Sequence, residues 1–191
     1  MPWLIAILGY ILGSIPTAYI AGRLIKGNDI RQIGDGNIGA QNAFHQLGAK
    51  TGIAVGLLDA TKGALIVFIA QAANIHQLLV LLAGVAAVIG HNWPLFLGFR
   101  GGRGESTTIG VLLTVVTQPM LAVGGMSLVV LFKTRNVIKA SVALFIPLPL
   151  LCWWWGYSGL VIAYSIFLPC LVGFTHYIRT RKEINKSSLA A

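Results

Sequence analysis

The sequence predicts an all-α integral membrane protein, and three observations carry that prediction. Hydrophobic residues make up 56% of the chain and charged residues only 10%, with a mean hydropathy of +0.79, whereas a soluble domain carries about 25% charged residues. The apolar residues gather into runs close to the roughly 20 residues that a helix needs to cross a bilayer core. All fourteen Lys and Arg lie within 23–62, 100–103, 133–139 and 179–186, while the turns at 73–77, 118–119 and 156–158 carry none. Cytoplasmic loops of membrane proteins collect basic residues, so the charge map doubles as a topology map.

Taken in order, residues 3–24, 52–73, 78–99, 140–155 and 159–178 read as spans. Met1 to Leu8 has no basic region, which makes the first run a retained span rather than a cleaved signal. Residues 107–132 read either as a single span or as two short helices broken at Gln118-Pro119, because proline removes an amide and obstructs the preceding turn. Charge decides between the two. Only two crossings return Lys133, Arg135 and Lys139 to the side of Arg100 and Arg103, at the cost of two helices of about 12–14 residues. The expectation is a single polytopic domain over 1–191 with seven transmembrane helices, two of them short. Its N-terminus lies outside and its C-terminus in the cytoplasm. Gly9, Gly13, Gly56, Gly63, Ala83 and Gly84 lie inside the spans, where small residues let helices pack closely.

The net charge of +9 is dispersed in short clusters at span ends, which argues for topology determinants beside anionic headgroups and against a nucleic-acid surface. Cys152 and Cys170 sit inside apolar runs as small hydrophobes. They form no disulfide or metal spacing.

Three polar segments interrupt this pattern, and the charge map gathers them on the cytoplasmic face. Gly34-Asp35-Gly36-Asn37-Ile38-Gly39-Ala40-Gln41-Asn42 fits GxGxxG, but a dinucleotide fingerprint needs a βαβ unit that has no place between two membrane helices. What survives is the capacity of a Gly-dense loop to turn backbone N–H groups onto an anion, set against a plain flexible loop. In Leu58-Asp59-Ala60-Thr61-Lys62-Gly63, Asp59 and Lys62 are spaced to pair on one helix face. Ionisable residues within a span are costly and usually functional; the alternative is that Lys62 snorkels to the interface. The segment from Gly90 to Glu105 places His91 before a helix-breaking Pro94, followed by Arg100, Gly101, Gly102 and Arg103. Arginine suits phosphate because its planar fork donates parallel hydrogen bonds.

In this order and spacing, with Leu12-Gly13-Ser14-Ile15-Pro16 and Asp29-Ile30-Arg31 ahead of them, these segments resemble the bacterial acyl-phosphate:glycerol-3-phosphate acyltransferases. The resemblance covers nearly the whole chain, and GHNWPLFLGFRGGRG is its most specific part. It implies seven spans in the bacterial inner membrane and an active site facing the cytoplasm. The implied reaction moves a fatty acyl group from acyl phosphate to glycerol 3-phosphate, giving lysophosphatidic acid and phosphate, the first acylation of phospholipid synthesis. It also implies no cofactor, contact with membrane lipids, and an acyl-phosphate-producing enzyme as a partner. Acyl phosphate is already activated, so the protein mainly positions two anions and neutralises charge.

By the same resemblance, Arg103, His91 and Asp59 are the expected catalytic group. The phosphate is expected at Gly34, Asp35, Gly36, Asn37, Gly39, Ala40, Gln41 and Asn42, with Lys62, Arg100, Gly101 and Gly102. The acceptor side is expected at His45, Arg135, His176, Thr180 and Glu183. Several positions depart from the family pattern. Asp35 stands for Ser, Gln41 for Thr, His45 for Arg, Arg103 for Lys, Ile138 for Ser, Thr180 for His and Glu183 for Asn, while Glu105 takes a usually apolar position. These replacements keep open a second function: a catalytically weakened paralogue that binds a lipid phosphate or regulates an active partner.

Overall fold

The structure, a computed structural model, describes residues 3–189, with side chains described as far as Arg181. Every regular element among them is helical: α1 (Leu4–Gly13), α2 (Thr17–Lys26), α3 (Ala40–Leu47), α4 (Ala49–Ala72), α5 (Gln77–Asn92), α6 (Glu105–Val115), α7 (Thr117–Thr134), α8 (Val137–Phe145), α9 (Leu148–Trp154) and α10 (Gly159–Leu189). Five stretches are long and apolar enough to cross a membrane: Leu4–Lys26, Ala49–Ala72, Gln77–Leu97, Val137–Trp154 and Gly159–Arg181. α6 is a shorter apolar helix.

The chain forms two compact units, one running up to Val111 and resuming at Val172, the other Leu112–Leu171. In the first unit, α1 lies against α5 at backbone distance. A Cβ added to Gly13 would come within 2.1 Å of the Ala87 carbonyl, and one at Gly9 within 2.6 Å of the Ala83 carbonyl. These are the small-residue faces expected from the sequence. α6 meets α4 in the same way, since a Cβ at Gly110 would sit 1.8 Å from the Ala60 carbonyl.

The first apolar run is long and apolar enough to cross a membrane, as expected, but it contains a break. α1 ends at Gly13 and α2 begins at Thr17, because Pro16 has no N–H to continue the ladder and disfavours the helical state at Ile15. The break leaves the Ile15 carbonyl available to a side chain from α4. Gly27, at φ +67°, then ends α2 as a left-handed cap.

In the second unit, the helix break expected at Gln118-Pro119 falls at Val116 instead (φ −133°, ψ 61°). Proline is tolerated in the first helical turn, where its missing N–H has no partner to lose. The interruption therefore shifts upstream and Pro119 joins α7. Pro147 likewise divides the run read as 140–155 into α8 and α9. Ser127 Oγ of α7 donates to the Ala140 carbonyl of α8 at 2.8 Å. At the uncharged end, Tyr157 Oη donates to Gln118 Oε1 at 2.8 Å.

Candidate active site

The site is built in the first unit, where the connection between α2 and α3 is held rigid by its own side chains. Asp29 caps a 3-10 turn (Ile30–Gln32), and its Oδ1 accepts the Arg31 N–H at 3.0 Å. The same carboxylate grips the Arg31 guanidinium through Nε at 3.0 Å and Nη2 at 2.7 Å. These side-chain hydrogen bonds hold Asp29 below the usual carboxylate range. Arg31 also stacks 5.2 Å from the Tyr19 ring, as cationic planes do on aromatic faces.

The glycine loop follows. Gly34 and Gly36 take φ of +63° and +67°, the left-handed region that suits glycine. Asn42, buried at the start of α3, donates its amide to the carbonyls of Ile30 (3.3 Å), Ile33 (3.1 Å) and Asn37 (3.0 Å). Its side chain is thus spent in shaping the loop. Gly39 precedes α3, so the N–H groups of Ala40, Gln41 and Asn42 open the helix without intrahelical acceptors. A helix start of this kind favours an anion through oriented N–H groups and the helix dipole.

Beneath the loop lies an interior polar cluster. Thr17 Oγ1 donates to Asp59 Oδ1 at 2.6 Å. Lys62 Nζ reaches Asp59 Oδ1 at 2.8 Å, the Ile15 carbonyl at 3.0 Å and His91 Nδ1 at 3.0 Å. Side-chain exposures are 1% for Asp59, 6% for Lys62 and 5% for His91. An ammonium has three hydrogens and no acceptor, so Lys62 is saturated by protein groups and His91 Nδ1 must accept. The ring proton then belongs on Nε2, which faces the Arg100–Gly104 turn: a Cβ at Gly102 would lie 2.0 Å from it. Lys62 therefore points inward rather than snorkelling.

The same unit holds an open cleft of about 650 Å³. The glycine loop supplies Asp35, Gly36 and Asn37 to its wall, and the turn beyond α5 supplies Arg100 and Gly101. α10 adds Thr175, Ile178 and Arg179, and Asp29 and Arg31 line it from the other side. Arg103 joins the loop through Asp35, with Nη2 3.5 Å from Oδ2. The extra carboxylate that the sequence places in the loop is thus paired with a nearby arginine.

Arg179 and Thr175 were not legible as site residues. Arg179 donates Nη1 to the Gly101 carbonyl and Nη2 to the Asn92 carbonyl, the latter at 2.6 Å. Thr175 Oγ1 donates to the Arg103 carbonyl at 3.0 Å. Together they moor the Arg100–Gly104 turn to α10. In the sequence Arg179 falls in the basic cluster 179–186, which topology alone accounts for.

The expected acceptor side is only partly assembled. His45 is exposed on α3, edge-on to Phe44 at 5.7 Å between centroids. His176 and Thr180 are half-buried on α10. Arg135 caps α7 in the second unit with φ +50°, and the Glu183 side chain lies outside the described residues.

The chain is thus a helical, multi-pass membrane protein that carries a glycine loop, a helix start and several arginines at its polar end. A family model described as Glycerol-3-phosphate acyltransferase matches residues 3–187, and the chain belongs to that family. It is 52% identical over 183 residues to Glycerol-3-phosphate acyltransferase 4 of Dehalococcoides mccartyi, covering 96% of this chain and 99% of that one. It is 38% identical to Glycerol-3-phosphate acyltransferase 1 of the same organism, over 93% of this chain and 88% of the relative. Among solved structures it is similar to PlsY, an integral membrane glycerol 3-phosphate acyltransferase, in its glycerol 3-phosphate form. The TM-score is 0.84 at 32% identity, over 99% of this chain and 92% of that one.

Proposed function

We propose that this protein transfers a fatty acyl group from acyl phosphate to a hydroxyl of glycerol 3-phosphate, releasing lysophosphatidic acid and phosphate. The observation that carries the reading is the convergence of the glycine loop (Asp35, Gly36, Asn37), the turn bearing Arg100 and Gly101, and Arg179 on one open cleft, in a chain that belongs to this family. In the reaction the hydroxyl oxygen of glycerol 3-phosphate attacks the acyl carbonyl carbon and the bond from that carbon to the phosphate oxygen breaks. The hydroxyl proton leaves with the phosphate, whose own oxygen accepts it.

The chain's part is electrostatic and positional. The N–H groups from Asn37 to Gln41 hold the donor phosphoryl group, and Arg103, with Arg100, neutralises charge that builds on it as it leaves. His91, Asp59 and Lys62 act as positioning residues that support the turn under Gly102. The acceptor's phosphate binds nearer Arg179 and the exposed side of the cleft.

The reaction belongs at the cytoplasmic face of a bacterial inner membrane, with seven crossings, the N-terminus outside and the C-terminus inside. The bond between Tyr157 and Gln118 supports this arrangement, since it joins the two uncharged turns of the second unit that the charge pattern assigns to one side. Acyl phosphate, a reactive mixed anhydride, requires an enzyme that makes it as a supplier.

Purified protein incubated with palmitoyl phosphate and glycerol 3-phosphate is expected to release phosphate only when both are present, and to form lysophosphatidic acid. Absence of product beside an active relative would sink the proposal. That result would favour the second reading, a non-catalytic paralogue, whose specific support is the carboxylate of Asp35 sitting on Arg103.

A further inference from the structure

A loop shaped to hold a phosphoryl group has no electrostatic use for a carboxylate, yet Asp35 sits at its centre. Its Oδ1 accepts the Asn37 N–H at 3.0 Å and its Oδ2 lies 3.5 Å from Arg103 Nη2. Those are a backbone N–H and a guanidinium, the donor types an anionic oxygen seeks in such a loop.

Some of the neighbouring charges are already engaged within the protein. Asp29 is locked to Arg31 by paired hydrogen bonds, and Arg179 is engaged with two backbone carbonyls. Asp35 differs from Asp29 in being 36% exposed at the side chain. It is also flanked by Gly34 and Gly36, both left-handed, where glycine gives the chain room to turn. Its carboxylate can therefore leave Arg103 for solvent without breaking a buried contact.

We propose that Asp35 is a built-in stand-in for the substrate's phosphoryl group. It occupies the Asn37 N–H and the Arg103 guanidinium. A phosphoryl dianion takes over both donors as the carboxylate swings out, because two anions cannot share them. Asp35 is thus a positioning residue that keeps Arg103 at the loop and sets the affinity for the phosphorylated donor. The cost of displacing it lowers apparent affinity by the fraction of sites already vacated. This inference rests on the acyl-phosphate reading of the same cleft.

The test uses inorganic phosphate as the probe, titrated calorimetrically into the full-length protein in detergent. It compares the wild type with Asp35→Ser, Asp35→Asn, Arg103→Ala and the Asp35→Asn/Arg103→Ala double variant. Serine and asparagine both keep an acceptor for the turn N–H and remove the charge. Both are expected to bind phosphate about tenfold tighter than the wild type, and KM for palmitoyl phosphate should fall by a similar factor. On the Arg103→Ala background the gain should disappear, since no cation is left to release.

Unchanged or weaker phosphate binding in both single variants overturns the proposal, as does an undetectable interaction in every protein. A tenfold gain that persists without Arg103 overturns it too, because simple removal of repulsion would then suffice. If the acyltransferase reading itself is wrong, no variant turns over, while the phosphate titrations still decide the role of Asp35.

Discussion

Lys62 shows how much a single side chain settles here. Its three ammonium hydrogens reach Asp59, Ile15 and His91, so removing it strands a carboxylate that is 1% exposed. Breaking one partner of a buried pair costs about 3–5 kcal/mol, whereas replacing both by apolar groups is often neutral. Lys62→Met is therefore expected to lower detergent-solubilised stability by about that amount, and adding Asp59→Leu should recover most of it in thermal unfolding. Equal losses from the single and double variants would mean that the pair matters through something other than mutual charge. Gly102 makes the complementary case. A methyl group there collides with His91 Nε2, and overpacking of this kind costs about 1–3 kcal/mol; Gly102→Ala is expected to cut kcat more than tenfold by tilting the arginine-bearing turn. An unchanged kcat would remove His91 as the support of that turn. At this scale the sequence made the Asp59–Lys62 pair legible, because their spacing alone puts them on one helix face. It could not reveal that the third and fourth members are Ile15 and His91, since those contacts join residues 47 and 29 positions apart.

Among elements, the 3-10 turn of Ile30–Gln32 decides whether the glycine loop has a fixed base. Asp29 both caps the turn and clamps Arg31, and Arg31 Nη1 extends to the Leu97 carbonyl at 3.4 Å. Asp29→Asn is expected to destabilise the protein by about 1–3 kcal/mol. The pH dependence follows from the direction of the shift. Arg31 holds the Asp29 carboxyl below its ordinary value of 3.8, so this contribution is complete above that pH and is lost as pH falls through the lower, folded value. The stability gap between wild type and Asp29→Asn should thus be constant from pH 7 to about 5 and close only below about 4. A gap that closes between pH 7 and 5 would assign the effect to another group. Element positions were largely legible, because apolar runs of bilayer length need no tertiary information. Their interruptions were less so. Pro16 and Pro147 break helices inside stretches that still read as spans, while Pro119 is absorbed into the first turn of α7. A proline marks a helix start or a break according to which carbonyls its neighbours can still satisfy, and that depends on packing which the local sequence does not contain.

For the whole molecule, the open question of architecture is the number of crossings, and it turns on α6 and α7. If they cross separately, Asn136 returns to the side of Lys50 and Ser158 faces the opposite one; if they form one crossing, the two positions exchange sides. The charge pattern favours separate crossings because Lys133, Arg135 and Lys139 flank Asn136 while residues 156–158 carry no charge. The helical geometry agrees: α6 has 11 residues and α7 has 18, with a break of the helical backbone at Val116 between them. A helix of 11 residues spans only about 16 Å, so α6 must either sit in a thinned bilayer or be shielded by protein. Single cysteines at positions 50, 136 and 158, placed in a Cys152→Ser/Cys170→Ser background, would be labelled in intact cells with a membrane-impermeant maleimide. Labelling at 158 alone is expected, with 50 and 136 reacting only after the membrane is opened. Labelling at 136 with protection at 158 would merge α6 and α7 into one crossing and place the C-terminal arginines across the membrane from Arg100. The mooring of Gly101 by Arg179 makes that outcome physically expensive, since both residues line a single cleft. The labelling experiment therefore tests the topology and the assembly of the site together.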